Sequence, residues 1–198
     1  MTARPAALAA APPTAPPAGT PLAELIGAVR AGVRGRPDPA ERARRAAGAL
    51  TPFLGRADLL PSERTEPDPL GYRQHLLHAE PDFSLVALVW LPGQATGVHD
   101  HTAWCVVGVH RGAEEETRYR VETGPDGGEL LVPDGTAVHR AGAVTAVVPP
   151  GDVHLVRNAT DATTVSLHVY GADIRDRGTS IRRGYDLPVA GTAGPRRR

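Results

Sequence analysis

The chain has 198 residues, with 22 Lys+Arg against 22 Asp+Glu, so its formal net charge is zero. Every basic residue is arginine and the signs alternate along the chain, which speaks against a broad electrostatic grip on nucleic acid or an anionic membrane; only Arg196 to Arg198 form a basic run. One cysteine, Cys105, excludes an intrachain disulfide, no apolar stretch approaches the roughly 20 residues of a membrane span, and Gly 22 plus Pro 20 with 4% aromatics point to a loop-rich β domain.

Residues 1–20 are mostly Ala, Pro and Thr and read as a disordered leader; prolines at 12, 13, 16 and 17 interrupt any signal-peptide core. Behind Thr20 as N-cap and Pro21, the residues Leu22, Leu25, Ile26, Val29 and Val33 recur at helical spacing, predicting a helix to about Val33. A second helix is predicted over 39–50, stopped near Thr51 and Pro52, so residues 21–56 form a helical lead-in. The proline-rich 56–70 segment reads as a surface connector.

From Gly71 the periodicity changes to two. Strands are predicted at 72–78, 83–91, 104–109, 115–121, 129–133, 138–140, 143–148, 154–158 and 163–170, separated by turns such as Pro92-Gly93, Pro133-Asp134-Gly135 and Pro150-Gly151-Asp152. That pattern implies an all-β sandwich or barrel over 57–186, followed by a flexible tail over 187–198.

His99 and His101 stand two apart in a strand-like stretch, so their imidazoles share one face. His154 follows a tight turn and starts a later strand, where it can meet that pair. Ser166, His168 and Tyr170 alternate along one late strand and also share a side. A tyrosine hydroxyl donates to an oxygen or thiolate, His168 accepts or donates behind it, and Ser166 fixes the histidine tautomer. Three neutral imidazoles leave a divalent ion its full double charge, which favours anionic ligands such as a thiolate, a carboxylate or reduced dioxygen. On ligands alone, zinc with a bound water and iron(II) with open positions both remain candidates. Trp90, Trp104 and Phe83 read as packing residues of the barrel or pocket wall; His75, His78, His110 and His139 read as surface or loop residues.

The frame around these residues resembles a known family. Gly93, His99, His101, Cys105 and Gly112 resemble the first cupin motif, with cysteine where most cupins have glutamate, and Pro149-Pro150-Gly151, His154 and Asn158 match the second. Gly142 lies one position too far upstream for that motif. Together with Ser166-x-His168-x-Tyr170, the pattern resembles the cysteine dioxygenase (thiol dioxygenase) family, over about Gly71 to Asp173. The resemblance implies a cupin jelly-roll β-barrel preceded by a short helical segment, with iron(II) on His99, His101 and His154, and Tyr170 facing substrate with His168 and Ser166 behind it. Some members link a cysteine to the tyrosine through a thioether; Cys105 with Tyr170 is the candidate pair, although one residue fewer separates His101 from Cys105 than the family pattern has. Mammalian-type members have Tyr-x-Arg at the substrate carboxylate. Here Tyr72 is followed in phase by Gln74, as in the bacterial glutamine-type branch, with Arg175, Arg177, Arg182 and Arg183 as candidate helpers of the weaker amide and Arg73 disfavoured by strand parity, since it points opposite to Tyr72 and Gln74.

The expected activity is oxidation of a small free thiol, cysteine first, to its sulfinic acid by O2, in a cytoplasmic monomer or small homo-oligomer with no nucleic-acid or membrane partner. The alternatives are a 3-mercaptopropionate dioxygenase, a zinc or manganese cupin acting as hydrolase or isomerase, and a non-catalytic ligand-binding cupin.

Overall fold

The computed structural model describes residues 15–176 and 178–191. Helices α1 (Pro21–Val33) and α2 (Pro39–Leu50) come first, followed by 3-10 turns at Thr51–Phe53 and Ser62–Arg64. Ten strands follow: β1 Arg73–Glu80, β2 Phe83–Trp90, β3 His99–His101, β4 Cys105–Arg111, β5 Ala113–Thr123, β6 Glu129–Arg140, β7 Val144–Val147, β8 His154–Asn158, β9 Thr164–Tyr170 and β10 Ile181–Gly184.

The helix ends follow from their caps. Thr20 Oγ1 accepts from the Ala23 N–H at the start of α1, and the Asp38 carboxylate accepts from Ala40 and Glu41 at the start of α2. The apolar stripe Leu22, Leu25, Ile26, Val29 and Val33 is buried, as the spacing predicts. In α2 the buried stripe is Ala43, Ala46 and Leu50, small enough for close approach to the sheet. Gly108 in β4 completes that contact, since a Cβ there would lie 2.7 Å from Cδ2 of Leu50.

The strands form two five-stranded antiparallel sheets, ordered β1-β2-β9-β4-β7 and β10-β3-β8-β5-β6. The central strands of the first sheet, β2 and β9, are buried on both faces. Phe83, Leu85, Ala87 and Val89 of β2, with Val165, Leu167 and Val169 of β9, join the helices in one apolar cluster. The alternating residues Val86, Leu88 and Trp90 of β2 and Tyr170 of β9 belong to a second cluster, with Cys105, Val107 and Val156. This period-two division puts Ser166, His168 and Tyr170 on the inner side of the jelly roll.

Three expectations change. Residues 129–140 form one strand, not two, because the register shift between Thr117 and Tyr119 lets Pro133 pair with Tyr119 and absorbs the Pro133-Asp134-Gly135 signal. His75 is buried, with Nε2 at 3.1 Å from the Glu66 carbonyl, and is no surface residue. Phe83 and Trp104 pack in the helix-facing core cluster and Trp90 lines the interior cavity, in line with the reading of all three as packing residues. β10 has no counterpart among the predicted strands. Residues 1–14 of the leader, residues 192–198 of the tail and Arg177 lie outside the described residues.

Candidate metal centre

The second sheet brings the three histidines together. His99 and His101 lie on β3, and His99 pairs directly with His154 of β8. All three are buried, with ring centroids 4.7 to 5.1 Å apart and one candidate ligand atom of each within 4.8 Å of the others.

Their outer nitrogens are all engaged. Nδ1 of His99 donates to the Gly97 carbonyl at 3.0 Å, Nδ1 of His101 to Asp152 Oδ2 at 3.0 Å, and Nδ1 of His154 to Glu116 Oε1 at 2.8 Å. Because each acceptor is a carbonyl or carboxylate, each Nδ1 carries the proton and each Nε2 keeps its lone pair. Burial, reinforced by His154 and His101, pulls the conjugate acid of His99 down to about 3, which keeps that ring neutral. Nε2 of His154 is buried without a hydrogen-bond partner among the described residues, an orphaned acceptor that a cation would satisfy. The donor set therefore fits a divalent metal ion.

Two carboxylates stand immediately behind this set, which alters the charge expected from the ligands alone. Burial on its own would raise Glu116, but hydrogen bonds from His154 and Arg118 take it down to about 2. Asp152, which also accepts from the His101 backbone N–H at 3.0 Å, is likewise lowered against its burial by His101. Two buried negative charges would thus offset the double charge of an ion held by the three histidines.

The first sheet supplies the other wall. Tyr170 has its ring 6.0 Å from that of His101. Its hydroxyl is 3.3 Å from Nδ1 of His168, whose Nε2 is 3.0 Å from Ser166 Oγ, and Trp90 Nε1 donates to that Oγ at 3.2 Å. Burial, then Cys105, holds the Tyr170 phenol well above its ordinary range, so it stays protonated. Cys105 is opposite Tyr170 in the β4–β9 register, with Sγ 3.9 Å from Nδ1 of His168. Burial, then Glu114, pushes its thiol up as well.

Between these walls lies a narrow cavity of about 30 Å³. It is lined by all three histidines, His168 and Tyr170, together with Tyr72, Gln74 and Trp90. Tyr72 stacks on Trp90 with ring centroids 4.4 Å apart. Among the described residues no arginine lines this cavity. Arg73 faces Glu66, Arg175 is bidentate to Asp173, Arg183 pairs with Glu129, and Arg182 is held on Asp100.

Sequence reasoning missed the groups that orient the site. Asp152 and Glu116 hold two histidines, and Asp100 accepts from Arg182, from the Arg183 backbone N–H and from Tyr185, which fixes β10 against β3. The alternation of Glu114 and Glu116 was the available signal for one of them. Asp152 sits in a turn read only as a turn.

Comparison with known proteins gives one family match: the profile of Cysteine dioxygenase type I matches residues 65–175, more than half of the chain. Among solved structures, a conserved protein with a double-stranded β-helix domain from Klebsiella pneumoniae is 19% identical, with a TM-score of 0.42 over 57% of this chain and 86% of that one. A Cupin 2 conserved barrel domain protein from Salinispora arenicola is 22% identical, with a TM-score of 0.41 over 60% and 91%. A cupin superfamily protein from Desulfitobacterium hafniense is 11% identical, with a TM-score of 0.42 over 71% and 94%.

Proposed function

This chain belongs to the cysteine dioxygenase type I family, and on that premise we propose that it is an iron(II)-dependent thiol dioxygenase. Its substrate is a small free thiol, cysteine first, and its product the sulfinic acid that contains both atoms of O2. The observation that carries this reading is the convergence of three Nε2 lone pairs on one buried point beside the Tyr170–His168–Ser166 chain.

His99, His101 and His154 would hold the ion, which when bound supplies open positions for sulfur and oxygen and the one-electron chemistry that O2 requires. The rest is done by the chain. Asp152 and Glu116 lock two of the imidazoles in the tautomer that presents Nε2. Leu88, Val107, Val156 and Ile181 give the cavity an apolar part of its wall. The Tyr170 hydroxyl, kept protonated by burial, stands beside the reacting sulfur and oxygen atoms, while His168 and Ser166 hold its orientation. Gln74 presents a neutral amide to the substrate carboxylate, a weaker partner than a bidentate guanidinium. That same amide favours a second reading of the substrate, 3-mercaptopropionate.

Cys105 and Tyr170, opposite one another in register, are proposed to form a thioether under turnover, the thiol and the phenol ring each losing a hydrogen and the two electrons passing to O2. Oxygen uptake by anaerobically iron-loaded protein tests the function: consumption with cysteine, 3-mercaptopropionate or cysteamine is expected, and no consumption with any of them defeats the reading.

A further inference from the structure

Glu114 is a buried acidic group that the mechanism above leaves unused. It lies on β5 with 2% of its surface exposed, and its side chain serves a different neighbour from that of Glu116. Oε1 of Glu114 is 4.0 Å from Nε2 of His168 and has no hydrogen-bond partner among the described residues. A carboxylate oxygen buried without a partner is costly, and it is tolerated best where a positive charge can form beside it.

The surroundings of His168 are two-sided. At Nδ1 stand the Tyr170 hydroxyl at 3.3 Å and Cys105 Sγ at 3.9 Å; at Nε2 stand Ser166 Oγ at 3.0 Å and the Glu114 carboxylate. The residues paired with His168 from β2 and β4 are Val86 and Val107, which bear no charge. Across β5, Glu114 pairs with Asn158 and with His139, and the His139 ring lies 3.4 Å from Glu116. Glu114 is therefore the one carboxylate set against the relay histidine among the described residues. Ser166 Oγ already accepts from Trp90, which leaves it a lone pair for an Nε2–H donor.

We propose that Glu114 is a positioning residue of the relay: its charge holds His168 in the Nε2–H tautomer and balances the imidazolium that forms when the relay takes the proton of an incoming thiol. This rests on the thiol dioxygenase reading and adds to it the fate of the substrate's proton. A free thiol, with its pKa near 8.5, arrives protonated at neutral pH, yet sulfur binds metals as the thiolate. The thiol proton passes to Tyr170 Oη as the phenol's own proton passes to Nδ1 of His168. The phenol is neutral before and after, the thiol becomes a thiolate, the imidazole becomes an imidazolium, and no electron moves. Glu114 and His168 together go from one negative charge to none, so the cavity wall gains no unbalanced cation. Without the carboxylate, the proton is released to solvent instead.

Anaerobic calorimetry on the iron(II)-loaded full chain tests this without turnover. Titrations with 3-mercaptopropionate and with cysteine, each in two buffers of different ionisation enthalpy near neutral pH, count the protons released per thiol bound. The wild type is expected to release close to none, and Glu114→Gln and Glu114→Leu about one. Equal counts in all three proteins overturn the role of Glu114 and leave the thiol dioxygenase reading standing; no binding heat in the wild type with either thiol overturns both. Because each substitution removes a buried carboxylate whose Oε1 has no hydrogen-bond partner among the described residues, both variants are expected to melt at or above the wild-type temperature. If neither folds, Glu114 is a structural residue and the proposal fails.

Discussion

Replacing Glu116 by glutamine separates the two duties of the carboxylate behind His154. It accepts from His154 Nδ1 at 2.8 Å, from Arg118 at 3.1 and 3.2 Å and from His139 at 3.4 Å, so three donors converge on one buried group. An amide offers one acceptor oxygen and turns its NH2 toward a donor. Loss of a ligand's orienting carboxylate typically costs 10–100-fold in metal affinity, about 1.4–2.7 kcal/mol. Folding stability changes too. The Glu116 carboxylate is held at about 2 against an ordinary 4.5, which corresponds to at most about 3 kcal/mol at neutral pH. The sign follows from the lowered value: this contribution is fully present above pH 4.5 and disappears as pH falls toward 2. Chelator competition measures the metal affinity, and urea unfolding of metal-free protein between neutral and acid pH measures the stability gap, which should narrow on acidification. Arg118→Ala is the internal control, since that side chain is half exposed and its pair is worth less than about 1 kcal/mol. Metal affinity of Glu116→Gln within twofold of wild type would refute the claim that the carboxylate orients His154.

Three further outcomes follow from the site. Aerobic turnover with thiol should remove the mass of two hydrogens from part of the wild-type protein as Cys105 joins Tyr170, and should leave Cys105→Ala and Tyr170→Phe unchanged; an unaltered wild-type mass after extended turnover contradicts the crosslink. Gln74→Arg should move the preference between cysteine and 3-mercaptopropionate, read as a ratio of kcat/KM values, because a bidentate guanidinium replaces a neutral amide at the cavity wall; an unchanged ratio removes position 74 from the substrate site. Gly171→Ala puts a methyl into the indole of Trp104 and should cost about 1–3 kcal/mol in urea unfolding, whereas an unchanged midpoint means that the indole yields freely.

Much of the site was legible because its spacing is local. A period of two places His99 with His101, and Ser166 with His168 and Tyr170, once each stretch is read as a strand. The helix cap Thr20 was equally readable, since a cap acts within three residues of itself. What the sequence hides is long-range. Asp152 meets His101 from 51 positions away, and which side of β5 faces inward depends on closure of the whole jelly roll. The same holds for β10, whose pairing with β3 is held by Asp100, a residue enclosed between two histidines that draw attention away from it. The turn signal at Pro133-Asp134-Gly135 misled because a register shift in the partner strand, invisible locally, lets the chain run on as one strand.

The central claim is that this chain adds both atoms of one O2 molecule to a thiol sulfur. The most direct measurement is the mass of the product formed by iron-loaded protein from cysteine or 3-mercaptopropionate under isotopically labelled O2. The account predicts a sulfinate with two labelled oxygens and one O2 consumed per thiol. Disulfide as the sole product, or label-free sulfinate, would contradict it.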